Sequence, residues 1–407
     1  MDASQSGRQR IIDLSTNVAG PFGAKLFADY GADVIKVESP RVGDPARRTG
    51  PFFHDDPHLE KSLLFMYLNN NKRGITLDIR TAAGRDAFRS LIESADALIE
   101  NCAPGYLSGL GLGYKDLENI NPQLVVTSVT SFGQSGPYSG YAGNDLVHYA
   151  MSGLMYASGA YDREPLKHGH PQSLYMGGMT AAYATSAALF GRSLIGRGQH
   201  VDLSLQEVVA SHHYPGPTRY AYTGVIERRA SKVEGGSLKG TRFEGIVPAS
   251  DGYIGPSTQK GRQRPPFSEY AALLGRPDID DPKFATPQLR NQNAQELDDV
   301  ILPILREWSK FDYFNTTMSD DWVAGVVQTP EDLINCPQLE ERDYWAEIDH
   351  PVIGKIKVPG EVFRLPESPW SLRSPAPLLG QHNEDVLCGD LGYTRQDLVL
   401  LRQQGVI

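Results

Sequence analysis

The chain has 407 residues, of which 39 are Lys or Arg and 49 are Asp or Glu, so its formal net charge is −10. At roughly 150 residues per domain, this length predicts two or three domains with ample material for a buried core. The acidic balance argues against nucleic acid, since neutralising phosphates requires a basic face. No run reaches the roughly 18 apolar residues that span a bilayer, and the polar start at 1–5 is unlike a signal peptide. These features predict a soluble, cytoplasmic protein with no membrane partner.

Cysteine and histidine usage gives no sign of a disulfide framework or a metal site. The three cysteines, Cys102, Cys336 and Cys388, are far apart and form no CxxC pair, which is typical of reduced thiols in the cytosol. Cys102 is a conceivable nucleophile, but a free cysteine is more often a small buried residue. The histidines form no set with metal-ligand spacing, so we predict no bound metal.

Strand-like and helix-like segments alternate over the first 130 residues, which predicts βαβ units and a parallel sheet. The middle of the chain is predicted to be α-rich, and a Gly-, Lys- and Arg-rich stretch at 225–245 is predicted to be a loop or linker. A second, mixed unit then follows, and a Pro-rich tail ends in a helix. The predicted strands are 11–14, 33–38, 95–99, 124–129 and 200–205, and the predicted helices are 22–30, 82–94, 145–158, 177–194 and 395–404.

Two polar segments are candidates for binding an anion. The turn 17–21 lies between a strand and a helix, where backbone N–H groups suit phosphate, although a plain βα turn explains it too. The run Asn69-Asn70-Asn71-Lys72-Arg73 is suited to a phosphate or a subunit contact, or is a solvated loop. Residue chemistry alone therefore indicates an α/β protein that binds a nucleotide-like ligand.

Several spaced motifs resemble those of the family III CoA-transferases, which include formyl-CoA transferase, carnitine CoA-transferase and α-methylacyl-CoA racemase. Blocks in a fixed order through almost the whole chain are more specific than any single motif. In chain order they are Val18-Ala19-Gly20-Pro21-Phe22, Gly31-Ala32-Asp33-Val34-Ile35-Lys36-Val37-Glu38, Asn71-Lys72-Arg73, Glu100-Asn101-Cys102-Ala103-Pro104-Gly105, Leu110-Gly111-Leu112-Gly113-Tyr114, Ser135-Gly136-Pro137-Tyr138, Gly196-Arg197-Gly198-Gln199 and Pro377-Leu378-Leu379-Gly380-Gln381-His382.

The resemblance implies an α/β fold with a Rossmann-like large domain, an inserted smaller α/β domain and an interlocked dimer. The large domain would span 1–224 and 346–407, and the small domain with its linkers 225–345. No tightly bound cofactor is implied, because coenzyme A and acyl-CoA are substrates. The acyl group would enter at the subunit and domain interface, where Tyr214, Tyr220, Tyr222 and Gly235-Gly236 suggest a roomy aromatic pocket. Core packing explains the tyrosines equally well.

Carried over by position, the resemblance implies a set of CoA contacts on four loops of the large domain. Two departures stand out, since Ser39 and Gly109 occupy positions where formyl-CoA transferase has arginines for the nucleotide phosphates. Nearby cations are available as substitutes, namely Arg41, Arg47, Arg48 and Lys72. The implied contacts are Val18, Ala19, Leu77 to Arg80, Asn101, Cys102, Ala103, Thr130, Ser131, Phe132 and Gly133.

The nucleophile of the family is missing from its expected position. Members resemble one another in using an Asp, about two dozen residues before the Gly-Arg-Gly-Gln block, to form a mixed anhydride and then an aspartyl-CoA thioester. Here that position falls on Leu174, or on Ser173 with a one-residue slip, and no carboxylate lies between Glu164 and Gln199. Asp145 is a weak alternative that is better explained as an N-cap or orienting group. Asn144 replaces the His that the racemase branch uses, which disfavours racemisation.

Three functions remain open on this basis. The first is a CoA-transferase with an atypical active site, which works on an acyl-CoA and a carboxylic acid as a homodimer. Alternatively it is the non-catalytic subunit of a heteromer whose homologous partner carries the Asp, an arrangement that resembles (R)-benzylsuccinate CoA-transferase. The third possibility is a CoA-binding protein with a lyase or sensing role.

Overall fold

A computed structural model describes residues 8–159, 163–212, 215–226 and 242–407, so most of the loop predicted at 225–245 lies outside the described residues. The chain divides into two compact units. The first, larger unit contains 1–156, 166–225 and 341–407, and the second contains 157–165 and 226–340. No helix among the described residues is long and apolar enough to cross a membrane.

The larger unit is built on a parallel sheet, as the alternating pattern predicted. Its described strands are β1 (Arg10–Asp13), β2 (Asp33–Glu38), β3 (Arg73–Thr76), β4 (Ala97–Glu100), β5 (Val125–Thr130) and β6 (His200–Ser204), hydrogen-bonded in the order β3-β2-β1-β4-β5-β6. The chain direction across the sheet reverses between β1 and β4. Open α/β sheets bind ligands in the crevice at the carboxyl ends of the strands beside such a switch point.

Helices cover both faces of this sheet. Neighbouring residues of β1 point to opposite faces: Ile11 packs with Ala24 and Leu189, whereas Ile12 packs with Phe88 and Leu401. All six side chains are buried, and burial on both faces explains why the strands are near-continuous apolar runs. The helices up to residue 223 are α1 (Ala19–Asp29), α2 (Leu63–Asn69), α3 (Ala82–Glu93), α4 (Tyr106–Gly109), α5 (Tyr114–Ile120), α6 (Asp145–Met151), α7 (Gln172–Ile195), α8 (Leu205–Ser211) and α9 (Pro215–Thr223).

The helix predicted over 145–158 is too long. Helix α6 ends at Met151, and a separate 3₁₀ turn spans Leu154–Ala157. The break has a local cause, because Gly153 has φ of +83° and the Ser152 hydroxyl accepts a hydrogen bond from the Leu154 N–H. A left-handed glycine cannot continue an α-helix.

Helices α1 and α7 cross at very short range. A Cβ on Gly178 would lie 2.6 Å from the Ala19 carbonyl oxygen and 3.0 Å from the Phe22 Cβ. A Cβ on Gly23 would in turn lie 2.9 Å from the carbonyl oxygen of Gly178. Glycine is therefore required at the crossing, and it brings the start of α7 against the first turn of the chain.

The second unit has its own sheet and core. Its described strands are β7 (Val247–Pro248), β8 (Tyr253–Gly255) and β9 (Gly325–Val326), all paired antiparallel, and the Asp251-Gly252 turn joins β7 to β8. Trp322 and Tyr270 are fully buried, and the Tyr270 and Tyr313 hydroxyls lie 2.8 Å apart. The helices are α10 (Phe267–Leu273), α11 (Pro287–Gln292), α12 (Ala294–Glu307), α13 (Lys310–Met318), α14 (Pro330–Ile334) and α15 (Pro337–Glu341).

The last segment belongs to the larger unit. It contains an antiparallel hairpin of β10 (Trp345–His350) and β11 (Gly354–Pro359), a π-helical turn at Asp385–Asp390, and the final helix α16 (Arg395–Gln403). Leu401 of α16 packs with Phe88 of α3 under the sheet. The C-terminal segment therefore completes one face of the core.

Candidate functional site

A cavity of about 210 Å³ opens at the carboxyl ends of β1, β2, β3 and β4. Five of the predicted CoA contacts, namely the range 77–80 and Cys102, line it together. Leu77 is buried, whereas the Arg80 guanidinium is exposed and donates to both oxygens of Asp78 at 2.8 Å. We refer to this space, lined also by 14–16, 36–39 and Tyr106, as the strand-end cavity.

Asn101 ties the two loops that flank the switch point. Its Oδ1 accepts from the Thr16 N–H and its Nδ2 donates to the Thr16 carbonyl, both at 2.9 Å. The Asn17 N–H donates to Asp44 Oδ1, also at 2.9 Å. The N–H groups of Thr16 and Asn17 are therefore bonded inside the chain, so an anion at the first turn would have to compete with a carboxylate and an amide.

Buried charges support the floor of this cavity. Asp13 lies 2.9 Å from Lys72 Nζ and 3.6 Å from Lys36 Nζ, and Lys36 lies 2.8 Å from Asp44. Burial alone would raise the pKa of Asp13, but the two ammonium groups hold it below its usual value. Burial lowers the pKa of Lys72 to about 8 in spite of Asp13. Two carboxylates thus balance two ammonium groups.

The cations that the sequence offers for the CoA phosphates separate into two groups. Arg47 is buried and donates to both oxygens of Glu38 and to Glu60. Lys72 is buried and forms an ion pair with Asp13. Neither is free to meet a phosphate, which excludes two of the four suggested substitutes. Arg41 and Arg48 are exposed.

The surroundings of Cys102 disfavour its thiolate. Burial and the nearby Glu100 raise the pKa of the thiol to about 12, which argues against Cys102 as a nucleophile because the thiolate is the reactive form. Glu100 Oε2 accepts from the Cys102 N–H at 2.6 Å, and burial raises the pKa of Glu100. Ser128 Oγ lies 2.8 Å from His200 Nε2 beside a small cavity that Glu100 and Ala103 also line.

The remaining predicted contacts lie near the start of α7. Val18 and Ala19 are buried, and Ala19 packs with Val129, next to Thr130. Ser131 and Phe132 are partly exposed on the loop that follows β5, and Gly133 has φ of +83°. The structure brings all four loops to one edge of the sheet, but Val18, Ala19 and 130–133 do not line the strand-end cavity.

Leu174, at the expected position of the nucleophile, makes apolar contacts. It is partly buried and packs against two clusters, one containing Ala19 and Leu203 and the other containing Val18 and Phe22. The preceding residue, Ser173, is fully buried. The place where α7 meets the first turn therefore presents a leucine.

Asp145 orients the start of α7. Its Oδ1 accepts from the Ser173 N–H at 2.9 Å and from the Ser173 Oγ at 2.7 Å, and its Oδ2 lies 2.6 Å from Lys167 Nζ. Asn144, not Asp145, is the N-cap of α6, accepting from the Val147 N–H. Of the two structural roles suggested for Asp145, the geometry thus fits the orienting one.

Sequence reasoning missed His148, which completes this cluster. His148 Nδ1 lies 3.1 Å from Ser173 Oγ, and burial lowers the pKa of the imidazole. One helical turn after Asp145, a histidine in an amphipathic pattern looks like any core residue, so only the α6–α7 contact reveals it. Tyr220 and Tyr222 are exposed, which excludes core packing within the described chain, and Tyr214 lies outside the described residues.

The fold and the strand-end cavity define an α/β protein with a doubly wound parallel sheet and a ligand crevice at its switch point. The model of CoA-transferase family III matches residues 8–383, and the chain belongs to that family and is a CoA-transferase. The predicted membership of family III and the predicted α/β fold class are thus confirmed. The interlocked dimer stays a prediction.

Three similar proteins illustrate the match. The succinyl-CoA:(R)-benzylsuccinate CoA-transferase subunit BbsE of Thauera aromatica is 34% identical, with 98% of this chain and 97% of that protein covered. The succinyl-CoA–D-citramalate CoA-transferase of Chloroflexus aurantiacus is 33% identical over the same shares. The crystal structure of a CAIB/BAIF family protein from Brucella suis superposes with a TM-score of 0.82 at 30% identity, covering 95% of this chain and 99% of that one.

Proposed function

We propose that this chain is a subunit of a heteromeric CoA-transferase that lacks the catalytic Asp of the family, and that a homologous chain supplies this nucleophile. The observation that carries the proposal is the start of α7, where Leu174 packs among apolar side chains and Ser173 is buried against Asp145. One relative, BbsE, is itself named as a subunit. Two related chains need one working carboxylate per site but both scaffolds for assembly.

The chemistry explains why a leucine in that position ends catalysis by the chain alone. A carboxylate attacks the thioester carbonyl, the C–S bond breaks, and the CoA thiolate leaves behind a mixed anhydride. The CoA thiolate then attacks the aspartyl carbonyl of the anhydride, which releases the first acid and leaves an aspartyl-CoA thioester. The incoming acid attacks this thioester to form a second mixed anhydride and frees the CoA thiolate. The thiolate attacks the acyl carbonyl of that anhydride, which gives the new acyl-CoA and restores the carboxylate. An alkyl side chain has no lone pair for the first attack.

Ser173 is a poor replacement nucleophile. Its hydroxyl proton points to Asp145, and its oxygen lies within hydrogen-bond distance of His148. Asp145 is also a poor nucleophile, because two donors and the Lys167 ammonium stabilise its negative charge. These contacts favour a heteromer over an atypical active site built on Asp145.

The substrates we propose are a CoA thioester of one dicarboxylic acid and a second, free dicarboxylic acid. The names of the similar proteins from Thauera and Chloroflexus pair succinyl-CoA with benzylsuccinate and citramalate, which are both dicarboxylates. CoA would follow the loops that carry Leu77, Arg80, Asn101 and 130–133, with Arg41 and Arg48 as the phosphate partners.

The test compares the chain alone with the chain co-produced with an Asp-bearing homologue. We expect CoA exchange between succinyl-CoA and a panel of dicarboxylic acids, followed by mass spectrometry, only in the mixture. Asp145→Asn in this chain should leave the mixture active. Full activity of the chain alone, abolished by Asp145→Asn, would establish the atypical active site instead.

A gain-of-function variant sharpens the comparison. Leu174→Asp restores a carboxylate to the family position, and Leu174→Asn is its isosteric control without a nucleophile. We expect Leu174→Asp alone to trap an acyl or CoA adduct on residue 174 when it is mixed with succinyl-CoA, detected as a mass increase of the intact chain. The absence of an adduct in folded Leu174→Asp would count against this assignment of the position.

A further inference from the structure

The strand-end cavity offers a ligand no unpaired charge among the residues that the structure describes. Five charged side chains line it, and three of the five are carboxylates. A phosphate inside the cavity would therefore meet an excess of negative charge and no free cation, which is costly away from bulk water. The pairs are Lys36 with Asp44 at 2.8 Å, Glu38 with Arg47 at 2.7 Å, and Asp78 with Arg80 at 2.8 Å.

The polar groups of the cavity that remain free are hydroxyls. The side chains of Thr16, Ser39 and Tyr106 line the cavity and make no hydrogen bond to any other residue in the described part of the chain. A hydroxyl donates and accepts hydrogen bonds without carrying a charge. The free groups therefore suit an uncharged polar ligand rather than a phosphate.

Two flat groups stand where the cavity opens to solvent. The Tyr106 residue is 42% exposed, and the Arg80 side chain is 68% exposed. Asp78 fixes the plane of the guanidinium by accepting from its Nε and its Nη2, both at 2.8 Å. Hydrogen bonds with Asp78 and, to a smaller extent, the nearby Tyr106 phenol raise the pKa of Arg80. Aromatic rings and guanidinium groups both stack on planar heterocycles, and a ligand can reach both from outside.

We propose that the strand-end cavity binds the uncharged nucleoside of coenzyme A, with the adenine ring against Tyr106, and does not select for the 3′-phosphate that distinguishes CoA from 3′-dephospho-CoA. The cavity lies at the switch point, where doubly wound sheets bind nucleotides, and its volume of about 210 Å³ is large enough for a purine base. The inference rests on the proposed function, which makes a CoA thioester the substrate. It adds Tyr106 as a specificity-determining residue and leaves Arg41 and Arg48, which do not line the cavity, for phosphates outside it.

The first measurement needs no variant. Calorimetric titration of the full chain with CoA and with 3′-dephospho-CoA should give dissociation constants within about twofold of each other. A 3′-phosphate that met a free cation would instead make CoA bind at least about tenfold more tightly. Such a preference in the wild-type chain overturns the proposal, and its loss in Arg41→Ser would identify Arg41 as the partner of that phosphate. A wild-type chain that binds neither ligand overturns the proposal as well.

The second measurement tests the aromatic ring. We expect Tyr106→Ala to weaken binding of both ligands equally, by about fivefold to tenfold, because a stacking partner of the base is lost. Tyr106→Phe keeps the ring and should keep the affinity, so a loss in this variant too would assign the contact to the hydroxyl and contradict stacking. Tyr253→Ala, at a 55% exposed tyrosine of the second unit that does not line the cavity, is the control. Unchanged affinity in a folded Tyr106→Ala variant overturns the proposal.

Ser39→Arg is the converse test. Ser39 is exposed and lines the cavity, so an arginine there would add an unpaired cation beside the nucleoside. We expect CoA to bind Ser39→Arg at least about fivefold more tightly than 3′-dephospho-CoA does, with no such preference in the uncharged control Ser39→Gln. Equal binding of the two ligands to a folded Ser39→Arg variant would show that the 3′-phosphate lies away from the cavity, which contradicts the proposal.

The failure of this inference can be distinguished from the failure of the proposed function. If the chain co-produced with an Asp-bearing homologue exchanges CoA, but Tyr106→Ala binds CoA as tightly as the wild type, only the nucleoside assignment is wrong. If the mixture exchanges no CoA, the proposed function is wrong, whichever ligands the chain binds in the calorimeter.

Discussion

Asp13 and Lys72 illustrate how much of the polar chemistry in this chain is structural. Both lie in the interior, 2.9 Å apart, and Lys72 also donates to the Pro21 carbonyl and to Asn69 Oδ1. Within the run 69–73, Lys72 thus holds the first turn through the Pro21 carbonyl. Removing one partner of such a buried pair leaves an uncompensated charge, which makes these residues sensitive positions.

Lys72 should give the stability of the chain a measurable alkaline dependence. The ammonium keeps its proton up to about pH 10.5 in the unfolded chain but loses it near a pKa of about 8 in the folded chain. Between these values the unfolded state binds more protons, so the free energy of unfolding rises with pH. Relative to Lys72→Met, we expect a rise of about 2 kcal/mol between pH 8 and pH 10, measured by urea unfolding. Parallel curves for the two proteins would contradict a lowered pKa.

The cysteines should differ in reactivity according to their surroundings. Burial raises the pKa of Cys102 to about 12, whereas hydrogen bonds from the Leu339 and Gln338 N–H groups lower the pKa of the surface residue Cys336. Since the thiolate is the reactive form, iodoacetamide at pH 8 should alkylate Cys336 at least tenfold faster, followed by peptide mass spectrometry. Equal rates in the folded chain would show that Cys102 is accessible and ionised.

At the scale of elements, helix α7 connects the core with the site. The helix crosses α1 near its start, at Gly178, and its first turn is held by Asp145 through Ser173. A shift of α7 would therefore move Leu174 relative to Val18 and Ala19. The tight crossing is what makes the position of residue 174 well defined.

The crossing can be tested with two glycines of the same helix. Gly178→Ala gains helix propensity but pushes a methyl group to 2.6 Å from the Ala19 carbonyl oxygen, so we expect a net loss of about 1–3 kcal/mol. At Gly191 the nearest atom is the flexible Gln199 amide nitrogen at 3.5 Å, and Gly191→Ala should stabilise the chain by about 0.5–1 kcal/mol. Thermal or urea unfolding measures both, and the same sign for the two variants would contradict close packing at Gly178.

The periodicity of apolar residues predicted the helices and strands well, because burying one face of an element requires apolar side chains at regular spacing. The strand predicted at 33–38 is observed without a shift, and the final helix Arg395–Gln403 differs by one residue. The end of α6 was misjudged because Gly153 interrupts a pattern that remains apolar. The site was harder to predict: the pairing of Asp145, Ser173 and His148 joins segments about 25 residues apart, and no local pattern encodes that contact.

The chain as a whole carries a net charge of −10, and its ligand is also an anion. The global field therefore opposes CoA weakly, and binding has to depend on local hydrogen-bond donors and cations. At the same scale, the larger unit has an extended apolar surface on α7. Tyr183, Phe190 and Leu194 are exposed by 76%, 70% and 73%, far more than a lone soluble chain usually leaves uncovered.

We propose that a second related chain covers this surface. The exposed face adjoins an apolar cavity of about 800 Å³ that Phe22, Met179, Tyr183 and Phe363 line, so a partner could cover the exposed side chains of α7 and also fill this cavity.

Tyr183→Glu should bury a charge at that contact and convert the assembly to monomers in light scattering at micromolar concentration, because an unpaired interfacial charge costs several kcal/mol. Val399→Glu, at an exposed apolar position on α16, is the matched control and should leave the mass unchanged. A wild-type chain that is monomeric both by itself and with an Asp-bearing homologue would exclude the assembly. If Tyr183→Glu dissociates the assembly and Val399→Glu does not, the contact lies on α7.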